Sequence, residues 1–102
     1  MMEIYIRVQT LETGKCAWWN KKELESYLFD SQSLWAKSKF TGDDFLAGTA
    51  FKSFKELKRE AREAKFMAEF DGWNDVKVTF WKLGCGGKPI QVKFTRDGKI
   101  KK

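Results

Sequence analysis

The 102-residue chain contains no histidine, and that one absence removes most conventional catalysis. Ser–His and Cys–His nucleophile pairs cannot form, and the commonest general base is missing. A structural zinc site needs four ligands, and Cys16 and Cys85 are the only thiolates on offer. Asp43 and Asp44, after Thr41-Gly42, could meet a hard cation. One carboxylate pair falls short of an oxygen cage, however, and suits a turn or a helix cap better. Gly84-Cys85-Gly86-Gly87-Lys88 has the glycines and lysine of a phosphate loop without its spacing, and it leads into a strand instead of a helix N-terminus. It reads as a hairpin connection in which Cys85 has no imidazole to activate it as a nucleophile. No catalytic residue, metal or cofactor is expected.

The chemistry that remains is charge set among aromatic rings. The net charge is +6, but residues 1–50 carry −1 and residues 51–75 carry zero, while residues 76–102 carry eight Lys/Arg against one Asp. A local field of this kind attracts phosphates, acidic protein surfaces or anionic lipid heads. The candidate binding residues are Lys77, Lys82, Lys88, Lys93, Arg96, Lys99 and Lys101. Alternation adds Trp81 on the polar side of its strand, Tyr5 and Arg7 on that of the first strand, and one of the adjacent Trp18 and Trp19, with Trp19 taken into the set. Basic residues interleaved with Trp and Tyr on an open sheet are what stacking on bases and pairing with phosphates require. The same aromatics would equally serve as a floor for the middle of the chain to pack on.

These residues need a scaffold, and the hydrophobic pattern supplies one. Met2–Thr10 alternates with a period of two, Thr13-Gly14 is a turn, and Lys15–Trp19 returns as the second strand of a hairpin. Asn20 with Glu23 has the form of a helix start, giving a short helix over Lys21–Phe29. Periodicity fades from Asp30 to Thr49, yet Leu34, Trp35, Phe40, Phe45 and Leu46 lie there. Leaving them exposed would forfeit about 1.5–3 kcal/mol each, so this segment is expected to pack as an irregular lid. Ser53 and Glu56 form a capping box for a helix over about 54–70, with Phe54, Leu57, Ala61, Ala64 and Ala68 as its apolar stripe, widened by Met67 and Phe70. Asp71-Gly72 ends it. Asp75–Leu83 and Ile90–Phe94 alternate again, and Asp97-Gly98 predicts a two-residue turn into a short last strand.

The expected fold is therefore a single α+β domain. An antiparallel sheet from an N-terminal and a C-terminal hairpin packs against one long helix, with a short helix and the lid between. No apolar run reaches the roughly 18 residues of a membrane span, and Glu3 and Arg7 interrupt any signal-peptide core. Two cysteines make no disulfide framework, and the cytosol is the expected compartment.

Three functions compete on this pattern. The first is a non-catalytic binder of nucleic acid or a nucleoprotein through the basic hairpin. In size, hairpin–helix–hairpin organisation and aromatic content the chain also resembles small phage and mobile-element proteins that block host defence, such as anti-CRISPR proteins. That resemblance implies an inhibitor docking on an acidic or nucleic-acid-binding protein surface. The third is a small toxin-like ribonuclease working with Lys, Arg and Tyr. A membrane-surface role fits poorly, because the long helix carries balanced charge on its polar side.

Overall fold

The computed structural model describes residues 3–20 and 48–101. Strand β1 (Ile4–Thr10) alternates buried and half-buried side chains along its whole length, as one face against a core requires. The chain turns through Gly14 at φ +78°, and β2 (Cys16–Trp18) runs back antiparallel with Trp18 opposite Arg7. β3 (Ala50–Phe51) pairs with the other half of the same edge, Ala50 opposite Tyr5 and Phe51 opposite Ile4. β2 and β3 are thus two halves of one edge strand. The Trp19 N–H donates to the Ile6 carbonyl, and the Thr49 N–H donates to the Trp19 carbonyl at 3.0 Å. The described chain thus stops at Asn20 and resumes at Gly48, with Thr49 beside Trp19. The helix expected over 21–29, and all of the expected lid except Gly48 and Thr49, lie outside the described residues.

Helix α1 (Phe54–Phe70) covers the inward face of the sheet, burying Leu57, Ala64 and Ala68. Ser53 holds the extended N-cap conformation but its side chain makes no capping bond. The Leu57 N–H instead reaches the Ser53 carbonyl at 2.9 Å. At the other end Gly72, at φ +92°, lets its own N–H meet the Glu69 carbonyl and that of Trp73 meet the Ala68 carbonyl. This is the left-handed glycine turn that closes many helices. Phe70 does not widen the apolar stripe. It lies two residues past Ala68, about 200° around the helix, is 77% exposed, and stacks on Phe66.

β4 (Val76–Leu83) pairs along β1 from Thr10–Val76 to Tyr5–Trp81, which joins the two hairpins at the centre of the sheet. β5 (Pro89–Phe94) pairs with β4 over Pro89–Val92, and its last two residues pair with β6 (Ile100–Lys101). The six strands form one antiparallel sheet beside one helix, in the order β2/β3–β1–β4–β5–β6. Thr95 to Lys99 connect β5 and β6, and the Thr95–Lys99 backbone pair closes the turn on three residues, Arg96 to Gly98, one more than expected. The Thr95 N–H meets the Lys99 carbonyl, and that of Gly98 meets Thr95. Gly98 sits at φ +86°, and a Cβ there would stand 2.6 Å from the Phe54 ring. The loop is shaped by its press against the first turn of α1. Among the described residues no helix is long and apolar enough to cross a membrane.

A candidate partner-binding surface on the C-terminal hairpin

Strand parity divides the predicted site. Trp18 pairs with Arg7, so the next residue, Trp19, turns to the inward face. There it is fully buried, with its indole Nε1 donating to Glu60 Oε1 at 3.1 Å. Trp19 is therefore withdrawn from the candidate surface: a side chain with no exposed area cannot touch a partner. Trp18, also buried, is the tryptophan on the side of Tyr5, Arg7 and Trp81. A three-residue strand carries too little alternation to choose between two adjacent tryptophans, so only the register with β1 settles it.

The aromatics on the outward face pack against one another. Trp18 is 6% exposed and meets Tyr5 and Trp81 edge to face, with centroids 6.5 and 6.0 Å away. The Arg7 guanidinium lies over the Trp81 ring at 5.1 Å and donates to Gln9 Oε1 at 3.0 Å. The Trp81 indole is itself turned to Thr79 Oγ1 at 2.7 Å. Burial, and secondarily the charge of Glu3, push the Tyr5 hydroxyl above its ordinary pKa. The group forms a small aromatic cluster in which Trp18 is buried, the Arg7 guanidinium covers part of Trp81, and Tyr5 and Trp81 stay half-exposed.

The basic residues are placed differently. None of Lys77, Lys82, Lys88, Lys93, Arg96, Lys99 and Lys101 forms an ion pair with a described residue. Lys82, Lys93 and Lys101 come together around a groove of about 580 Å³, with Ile90, Gln91, Val92 and Ile100 also lining it and no carboxylate among the described residues that do so. Lys93 stands directly opposite Lys101, at a Cα separation of about 5.5 Å for such a pair. Like charges so placed cost stability. Lys77 lies apart, opposite Gln9 on β1. Lys88 belongs to the β4–β5 turn, and Arg96 and Lys99 to the β5–β6 turn at the other end of β5.

Two further features lie beyond the expectations drawn from the sequence. Glu60 is buried at 1% exposure although the polar side of the helix reads as solvated. Its spacing, three residues after Leu57 and four before Ala64, was the available signal. The other is the outer edge of β5. β6 reaches only Lys93 and Phe94, so Pro89–Val92 have no neighbour on that side among the described residues. Cys16 is buried and Cys85 exposed, and the two thiols are free. Among the described residues no three Cys, Asp or Glu side chains gather in a metal-binding group. Comparison with known proteins finds no match, whether to a family model, a curated protein or a solved structure.

Proposed function

We propose that this chain is a non-catalytic binding protein that docks its basic C-terminal hairpin on an acidic protein partner. The observation that carries the reading is the groove at the β5 edge. It joins three uncompensated lysines to the apolar side chains of Ile90, Val92 and Ile100, and Ile90 is 45% exposed. Mixed apolar and basic walls suit a polypeptide better than a phosphate chain alone. The aromatic cluster supports the same choice, since bases need open ring faces to stack on, and here Trp18 is buried and Trp81 already carries the Arg7 guanidinium. The resemblance to small phage inhibitors of host defence fits a protein partner, and free thiols fit a cytosolic setting.

Affinity capture from a host lysate tests this reading. Capture of one protein that survives nuclease treatment and is lost with the Lys82→Glu, Lys93→Glu, Lys101→Glu triple variant is the expected result. Capture unaffected by those reversals would move the site elsewhere.

Nucleic acid is the second reading, and the exposed charges outside the groove favour it: Lys77, Lys88, Arg96 and Lys99 are available to phosphates. It requires binding to DNA or RNA whose log affinity falls with log salt at a slope of about −0.9 for each phosphate engaged on a duplex. Captured material that absorbs at 260 nm and disappears on nuclease treatment would select it over the protein partner.

A further inference from the structure

Backbone hydrogen bonds show which way β5 presents its free groups. In an antiparallel pair, successive residues of a strand direct their N–H and C=O alternately to the two sides. The Gly84 N–H meets the Lys88 carbonyl on the β4 side, which by the Lys82–Ile90 and Phe80–Val92 register turns residues 90 and 92 toward β4. On the β6 side the Thr95 N–H meets the Lys99 carbonyl, which turns residues 95, 93 and 91 outward. The two readings agree. The backbone N–H and C=O of Gln91 face the open edge, flanked by Pro89, which has no N–H, and by Lys93, which is paired with Lys101.

The walls of the groove belong to both faces of β5. Ile90 and Val92 lie on the inward side with Lys82, and Gln91 and Lys93 on the outward side with Lys101. A groove lined from both faces of one strand runs along the strand's edge, where the line of β6 would continue past Lys101. We infer that this edge is a strand-addition site that takes an extended, acidic segment of the partner protein, with apolar side chains alternating with Asp or Glu. The inference rests on the protein-partner reading above and specifies its mode. Main-chain bonds to Gln91 supply the pairing, carboxylates meet Lys93, Lys101 and Lys82, and apolar residues rest on Ile90 and Ile100, whose accessible side chains flank the buried Val92.

Charge decides the occupant. Proline and lysine on an edge are what keep sheets from pairing indiscriminately, and here they repel a second copy of this chain, which would bring lysines against lysines. They do not repel an acidic strand. Pro89 also limits the register, because main-chain pairing can be anchored at Gln91 and not at residue 89.

The test uses the full chain and a synthetic peptide of alternating glutamate and valine, compared with the same composition interrupted by a central proline. Titration by NMR is expected to shift and protect the Gln91 amide. The interrupted peptide and the Gln91→Pro variant, whose lost N–H makes no bond to β4, should each bind about fivefold more weakly. Lys93→Gln should weaken binding in a salt-dependent way. A Gln91→Pro variant with the wild-type spectrum elsewhere and unchanged affinity would overturn the strand-addition mode while leaving an acidic partner intact. Absence of binding to both peptides and to polyglutamate would sink the acidic-partner reading as well. Shifts produced equally by duplex DNA, with no protection of Gln91, would give the groove to nucleic acid instead.

Discussion

Trp19 and Glu60 form a polar pair buried in the core. A carboxylate at 1% exposure and an indole at zero exposure meet at 3.1 Å, and the Arg59 guanidinium lies 3.7 Å from the second carboxylate oxygen. Removing one partner of a buried polar pair leaves the other short of a donor, which costs about 1–3 kcal/mol. Trp19→Phe also leaves unfilled volume in the core. The variant is expected to lose about 2–4 kcal/mol in chemical denaturation. Adding Glu60→Leu should recover part of that loss, because two apolar groups no longer require each other. If the double variant instead falls by the sum of the two single changes, the indole–carboxylate bond is not what stabilises this part of the core. The contrast with Trp18 is instructive at the same scale. Two identical side chains, adjacent in sequence, serve opposite faces of the sheet.

At the scale of elements, the β5–β6 ladder sets stability against binding. Its opposed Lys93 and Lys101 repel across the sheet, where an opposite-charge pair would contribute about 0.2–1 kcal/mol. A purely structural hairpin gains nothing from that arrangement. Lys93→Glu is therefore expected to raise the thermal midpoint slightly while weakening binding to the acidic peptide. The two effects are read from one melting curve and one titration. Loss of stability together with loss of binding would mean that Lys93 contributes through packing and not through its field. The other edge of the sheet follows a different logic. β2 and β3 share the same edge of β1 end to end, and the Thr49–Trp19 backbone bond links one to the other. The sheet is continuous across a gap of some thirty residues in the sequence, so β1 keeps a full-length neighbour on that side.

For the whole molecule, much of the scaffold was legible because its elements have strong local signals. The 54–70 helix, with its serine start and glycine stop, and the alternating runs of β1, β4 and β5 all stand where their periodicity puts them. What the sequence could not yield depended on partners distant in the chain. The face chosen by Trp18 depends on Arg7, the burial of Glu60 on Trp19, and the extra residue in the Asp97-Gly98 turn on Phe54. The pairing of β1 with β4, which brings the aromatic residues of both hairpins into one cluster, is likewise a long-range choice. Charge, by contrast, was legible as a total and as a partition, and it is the partition that makes a test possible. Reversing Lys82, Lys93 and Lys101 takes the formal net charge from +6 to zero, and so does reversing Lys55, Arg62 and Lys65 on the exposed side of α1. If long-range attraction to the whole molecule governs partner binding, the two triple variants weaken it alike. If the groove governs it, the hairpin variant abolishes binding while the helix variant keeps most of its affinity and loses mainly association rate. Surface-based kinetics on both variants, at two salt concentrations, measure that difference directly. Equal loss in both would refute a localised site.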